Sequence, residues 1–174
     1  MRDADVIEEL RAKLAIPTGR HLYGVLGAYA ALCRFALALQ QAPTPRGRSF
    51  PAPLSVNRGI LHAIPDEECK QLVTDEARYP QPARAHVQQA FEQSLRDALS
   101  AHDVVVLEHL EMFFAYGVDL TLLRTVATDA DQVILLLPGR RAGGRISMFF
   151  EEDAGFNSMP GNLIAANHLW DLGG

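Results

Sequence analysis

The chain has 174 residues, enough for one domain with a hydrophobic core and too few for two domains of ordinary size. Apolar residues make up 48% of it, a globular composition, and the net charge of −5 argues against a broad nucleic-acid-binding face. The cysteines form no CxxC pair, and no apolar run approaches the roughly 20 residues that span a bilayer. The charged N-terminus lacks the apolar core of a signal peptide. We therefore expect a cytoplasmic protein without membrane contact.

The first half of the chain predicts helices and strands in alternation. In chain order, hydrophobic periodicity and proline punctuation predict a surface helix over residues 3–14, a strand over 21–26, an alanine-rich helix over 28–41, a short strand over 54–57 and a broken helix over 58–75. Residues 1–18 are interpreted as an N-terminal helix and linker, and residues 1–174 as a single domain.

The second half continues the alternation. The pattern predicts a long helix over residues 83–100, a buried strand over 103–107, a helix capped by Asp119, a buried strand over 133–137, a turn-rich loop over 138–145, a strand over 146–150 and a loop over 154–162 before an apolar end. Alternating strands and helices predict an α/β three-layer sandwich with a mostly parallel sheet. We expect its core to include six residues of the central strands: Tyr23, Val25, Val104, Val106, Ile134 and Leu136.

The stretch GVLGAYAA, residues 24–31, fits the eight-residue frame of a phosphate-binding loop in part. Gly24 and Gly27 take glycine positions, and Ala28 lies between strand and helix. The remaining positions depart from the motif, because its second glycine, lysine and hydroxyl residue are replaced by Tyr29, Ala30 and Ala31. An ordinary strand-to-helix turn is the alternative interpretation of this stretch.

An acid follows the buried strand over residues 103–107, as in the Walker B strand that holds Mg²⁺ in P-loop ATPases. Glu108 occupies this position and would bind the metal if Mg²⁺ binds, while Glu111 follows one helical turn later as a second candidate catalytic carboxylate. The alternative is that Glu108 caps the following turn and Glu111 faces solvent. Mg-ATP is therefore expected as a cofactor only if nucleotide binding is retained, and otherwise we expect none.

Three arginines lie in the stretch PGRRAGGR. Arg140, Arg141 and Arg145 are candidates for phosphate contacts or arginine fingers, with a solvated hairpin tip as the alternative. Aromatic runs at residues 113–116, 148–150 and 169–170 are candidate anchors for a protein partner, with coverage of the sheet edge as the alternative.

Four segments in the same order resemble the small P-loop protein of type 3 BREX phage-defence systems. They are LYGVLG, PLSVNRGIL, VVVLEHLEMFF and DLTLLRTVATDADQVILLLPG, and the resemblance extends from about residue 20 to the C-terminus. It implies a P-loop NTPase-like fold and membership of a cytoplasmic antiviral complex. Gly24 and Gly27 match its loop glycines, and Glu108 and Glu111 match its acids, whereas residues 29–31 depart from its pattern.

Three functional hypotheses follow. The first is a degenerate, non-hydrolytic subunit that binds other members of a defence complex, or a second copy of itself. The second is an active or nucleotide-binding NTPase in which an arginine such as Arg20 or Arg34 replaces the lysine. The third is a small α/β binding module without P-loop ancestry, which a different order of strands in the sheet would favour.

Overall fold

A computed structural model describes residues 1–75, 80–148 and 158–173. The order of elements is α1 (Asp3–Leu14), β1 (Leu22–Gly27), α2 (Tyr29–Gln41), β2 (Leu54–Ser55), α3 (Val56–Ala63), α4 (Asp66–Asp75), α5 (Pro80–Ala101), β3 (Val104–Glu108), α6 (Glu111–Ala115), α7 (Thr121–Val126), β4 (Gln132–Ala142), β5 (Arg145–Met148), β6 (Ser158–Pro160), a 3₁₀ helix (Ala166–His168) and β7 (Leu169–Asp171).

The sheet is mostly parallel, as predicted. Five parallel strands lie in the order β2-β3-β4-β1-β7, and the antiparallel strands β5 and β6 extend from the far end of β4. This order differs from both common doubly wound orders, 3-2-1-4-5-6 and 2-1-3-4-5. The mostly parallel sheet with its helices confirms the predicted α/β sandwich.

Apolar side chains cover both faces of the sheet. On one face, strand residues such as Leu22, Val105 and Leu135 pack against the helices α3, α5, α6 and α7. On the other face pack α1, α2 and the six predicted core residues, all of which are buried: Tyr23, Val25, Val104, Val106, Ile134 and Leu136. Both side-chain registers of the central strands are buried because helices cover both faces.

Helix α1 is an integral part of this second layer. It begins and ends where the sequence predicts, with Asp3 and Asp5 in its first turn and Arg11 and Lys13 in its last, which complements the helix dipole. Four of its side chains are buried in the core shared with α2: Val6, Ile7, Leu10 and Leu14.

Several predicted boundaries were wrong. The second strand is two residues long, because Val56 and Asn57 already belong to α3, where the Ser55 hydroxyl accepts from the Arg58 amide. The predicted turn-rich loop over 138–145 is mostly strand, and only Gly143 and Gly144 form the turn, both with positive φ that glycine tolerates. Within the predicted tail loop, residues 158–160 form β6, while residues 149–157 lie outside the described part.

The C-terminal strand β7 was not predicted. It lies parallel to β1, with Gly24 level with Leu169 and Leu26 level with Asp171, and so forms an edge of the parallel sheet. No helix in the described ranges is long and apolar enough to cross a membrane.

Candidate functional site

The connection between β1 and α2 is one residue long. β1 ends at Gly27, Ala28 adopts an extended backbone (φ −67°, ψ 154°), and α2 begins at Tyr29. The Ala28 carbonyl already accepts the first helical hydrogen bond, from the Leu32 amide at 3.0 Å. A phosphate loop requires several successive backbone N–H groups that curl around the anion. Here the eight-residue frame has four residues in the strand, one in the connection and three in the helix.

Gly24 is a strand residue and not a loop residue, which corrects its placement in the frame. A Cβ at this position would lie 2.7 Å from Ile164 Cδ1 and 2.7 Å from Leu169 Cδ1, closer than carbon atoms pack. Gly24 therefore lets the C-terminal segment approach the sheet closely.

Gly27 ends β1, and the space beside it is filled by the C-terminal segment. The Leu172 amide donates to the Leu26 carbonyl at 2.8 Å, and the buried Leu172 side chain lies 3.4 Å from the position that a Cβ of Gly27 would take. Ala31 is also buried, in the core beneath α2. The surface where a phosphate loop would hold its anion is thus occupied by apolar side chains of this chain.

The two candidate acids are engaged differently. Glu108 is the last residue of β3 and half-buried, with its Oε1 atom 3.5 Å from Nδ1 of His109. His109 adopts a positive φ of 53°, which is uncommon outside glycine. Glu111 accepts a hydrogen bond from the Asn57 side-chain amide at 2.7 Å, and so it does not simply face solvent.

Asn57 holds the segment after β3 against α3. Its Oδ1 accepts from the Met112 amide at 3.1 Å, and its own backbone amide donates to the His109 carbonyl at 3.2 Å. Asn57 lies in PLSVNRGIL, one of the four segments of the resemblance, but the sequence predicted no role for it. The contacts indicate a structural bridge at the carboxyl edge.

Glu108 and the turn between β1 and α2 lie on the carboxyl edge of the sheet with one strand between them. Pairing through β4 places Glu108 level with Val25, two residues before Gly27 and two strand spacings, roughly 10 Å, to the side. Glu111 is bonded to the Asn57 amide, and the part of the chain that the structure describes contains no cluster of three metal-ligating residues. Mg²⁺ is usually held by one or two carboxylates together with substrate phosphates, and the cradle for those phosphates is missing here.

Two of the candidate arginines have structural partners. Arg141 lies in β4, donates to the Asp171 carboxylate at 2.8 Å and also donates to the Leu169 carbonyl, so it fastens β7. Arg145 lies in β5 and donates to the Ser158 hydroxyl at 2.9 Å across the β5–β6 pair. Arg140 is exposed and forms no ion pair with a described residue. Arg34, a proposed substitute for the missing lysine, pairs with Asp3 at 2.9 Å.

Most of the predicted interface aromatics are buried. Phe113 packs edge-to-face against Phe91 with ring centroids 4.3 Å apart, and Met148 is buried beside the same core. Trp170 is buried in β7 and donates from Nε1 to the Glu9 carboxylate of α1 at 2.7 Å. Phe114 and Tyr116 are half-buried against the core, and residues 149–150 lie outside the described ranges. For Phe113, Met148 and Trp170, burial favours the alternative interpretation, in which these side chains cover the sheet.

The outer face of α2 carries exposed apolar side chains instead. Tyr29 is 45% exposed and Leu37 is 64% exposed, and the exposed Cys33 lies between them at the helical spacing of four residues. We refer to Tyr29, Cys33 and Leu37 as the α2 stripe.

A buried polar cluster lies at the amino end of β1. Nδ1 of His21 lies 2.8 Å from the Tyr23 hydroxyl, while Nε2 of His21 is buried without a partner among the described residues. Burial raises the pKa of Tyr23 to about 12, and burial also lowers the pKa of His21, partly opposed by Asp129. Burial, followed by the charge of Lys13, lowers the pKa of His168, whose ring lies 4.7 Å from that of Tyr23.

Comparisons with known proteins found no relative of this chain. No family model matches the chain, and neither a curated protein nor a solved structure is similar to it.

Proposed function

We propose that this chain is a degenerate P-loop NTPase-like subunit of a phage-defence complex, which does not hydrolyse nucleotide and acts by binding another protein. The one-residue connection at Ala28 is the observation that carries the non-hydrolytic part. The defence part is supported by the four segments that resemble the BREX protein.

The order of strands supports the P-loop-like ancestry. Numbered in chain order, the five parallel strands lie in the order 5-1-4-3-2 across the sheet, with β4 between the strand of the glycine frame and the strand of the acid. P-loop ATPases with one strand between the phosphate-loop strand and the Walker B strand have the same order. The third hypothesis, a module without this ancestry, is therefore less favoured.

Several losses together favour a domain without chemistry. The lysine and hydroxyl positions hold alanine, Leu172 covers Gly27, and Arg34 is paired with Asp3 on the outer surface. An NTPase with substituted residues would need at least one free cation beside the strand-to-helix turn, and Arg34 does not provide it.

The α2 stripe supports action through a partner. The Leu37 side chain is exposed, whereas Leu32 and Leu39 on the same helix are buried. It lies on α2, the helix that follows the strand-to-helix turn at Ala28. Exposed apolar side chains at helical spacing are typical of a surface that packs against another protein. A second subunit of the complex is the proposed occupant, and a second copy of this chain is the alternative outcome.

Hydrolysis is tested with the purified chain, Mg²⁺ and ATP or GTP. We expect no phosphate release above background and no change when Glu108→Gln is introduced, because no cradle positions the phosphates. Magnesium-dependent turnover that Glu108→Gln abolishes would contradict the proposal and favour the active NTPase.

Partner binding is tested by co-expressing the chain with the products of adjacent genes and measuring complex mass by size-exclusion chromatography with light scattering. Leu37→Glu should remove the complex, whereas Val73→Glu on α4 is the matched control, because Val73 is 68% exposed and lies on another helix. A strict monomer in every co-expression, or equal binding by Leu37→Glu, would refute the interaction.

A further inference from the structure

A cavity of about 240 Å³ lies at the amino edge of the sheet, opposite the edge discussed above. The loop of residues 44–51 forms one wall, and the first residues of β3 and β4 lie below it. The ends of α1 and α5 complete the lining, through Leu14, Ala101 and His102.

The loop over the cavity is held in a defined shape. The Thr44 amide donates to the Arg48 carbonyl at 2.6 Å, and the Gly47 amide donates to the Thr44 carbonyl at 2.9 Å. Gly47 has a φ of +78°, which suits glycine, and the buried Phe50 anchors the loop in the core below α2. A wall fixed by such bonds loses little conformational entropy when a ligand binds.

Charge in the cavity is unevenly distributed. Arg46 and Arg48 contribute two guanidinium groups, and Asp103 contributes one carboxylate, which pairs with Arg46. Arg48 makes no ion pair with any residue in the described ranges. The unpaired guanidinium beside an otherwise neutral pair makes the cavity receptive to an anion, even though the chain as a whole is acidic.

Two features restrict which anion fits. Leu14 and Ala101 are the last residues of α1 and α5, so the partially negative ends of two helices lie at the cavity, together with Asp103. These groups disfavour a doubly charged ligand. The apolar part of the lining, from Leu14, Val104 and the prolines Pro45 and Pro51, favours a ligand with an apolar body.

We propose that this amino-edge cavity binds a small organic monocarboxylate, with the Arg48 guanidinium on the carboxylate and the apolar lining against the body of the molecule. The volume lies below the roughly 300–1,000 Å³ of sites for drug-sized ligands, which limits the ligand to a small acid. The site is separated from the α2 stripe and from residues 24–31, so it is independent of the proposed function.

The probe is benzoate, added to ¹⁵N-labelled full-length protein and followed by amide chemical shifts. Benzamide has the same shape without the charge, and inorganic phosphate has charge without the apolar body. We expect benzoate to shift amides of residues 44, 46–49, 101–104 and 132, and to bind about fivefold or more tightly than benzamide and phosphate.

Variants assign the effect to Arg48. Arg48→Gln should weaken benzoate binding about fivefold or more, Arg48→Lys should restore part of it, and Arg58→Gln on α3 should leave it unchanged as an exposed arginine remote from the cavity. Absence of benzoate-dependent shifts at millimolar concentration, shifts elsewhere in the protein, equal binding of benzamide, tighter binding of phosphate, or an unchanged affinity in Arg48→Gln would each overturn the proposal.

Discussion

A comparison of Gly24→Ala with Gly27→Ala tests whether each glycine of β1 is required for packing or for ligand binding. The two residues lie three positions apart in β1, and a phosphate-loop interpretation gives both the same role. The structure gives them different surroundings, so the two substitutions should have different effects on the free energy of unfolding in the absence of any ligand.

The expected magnitude follows from the space around each Cβ. At Gly24 the new carbon would meet Ile164 Cδ1 and Leu169 Cδ1 at 2.7 Å, whereas carbon atoms prefer about 3.5–4.0 Å. Such overpacking costs typically about 1–3 kcal/mol, and the lower entropy of the unfolded alanine chain offsets about 0.4–1 kcal/mol. A net loss of about 1–2 kcal/mol corresponds to a decrease in Tm of roughly 2–8 °C for a chain of this size.

At Gly27 the nearest atom, Leu172 Cβ, lies at an ordinary contact distance of 3.4 Å, so no clash opposes the lower entropy of the unfolded alanine chain and Gly27→Ala should stabilise the fold by about 0.4–1 kcal/mol. Urea and thermal unfolding followed by circular dichroism measure both variants. Ile164→Val removes the contacting Cδ1 atom, and a double-mutant cycle should show that it reduces the cost of Gly24→Ala. Equal effects of the two glycine substitutions, or an additive cycle, would show that the packing of Gly24 is misassigned.

Three further predictions concern the core and the polar clusters. Val106→Asp places an unpaired charge in the centre of the sheet and should abolish cooperative unfolding; a soluble variant with an unchanged melting midpoint would contradict the position of β3. Burial lowers the pKa of His21 and His168 in the folded state, so the unfolded chain, whose histidine pKa is about 6.5, binds more protons than the folded chain as the pH falls. The free energy of unfolding should therefore decrease from about pH 7 toward pH 5, by at most about 1.4 kcal/mol per pH unit for His21. Urea midpoints that stay constant across this pH range would refute the prediction. Asn57→Ala removes the bonds to Glu111 and to the Met112 amide and should cost about 1–3 kcal/mol in urea unfolding, with Arg58→Ala as the neighbouring exposed control.

Periodicity was sufficient to predict the layers. A β-branched run predicted β3, a continuous apolar run predicted the buried part of β4, and apolar spacing predicted α1 to the residue, because these signals depend on neighbours within one element. The six central core residues were also predictable, since a parallel strand between two helical layers is buried on both faces.

The hairpin at the end of β4 shows why turn residues misled the prediction. Pro138 has no amide hydrogen, and it lies opposite Gly27 at the last pair that β4 makes with β1. Gly139 begins the pairing with β5, where a Cβ would lie 2.5 Å from the Ser147 carbonyl oxygen. Both residues are typical of turns, but here they mark the point where the strand leaves one set of partners and approaches another.

The role of Gly24 could not be read from its neighbours in sequence. Its requirement comes from Ile164 and Leu169, some 140 residues later in the chain, and β7 itself is too short to give a strand signal. The same segment supplies Leu172 beside Gly27 and Asp171 to Arg141, while the N-terminal Asp3 pairs with Arg34. The two terminal segments therefore cover Gly24 and Gly27 and pair with Arg34 and Arg141. A nucleotide site at this edge would be built from these residues. This packing favours a structural role for the carboxyl edge over nucleotide binding. The proposed partner binding therefore depends on the exposed α2 stripe.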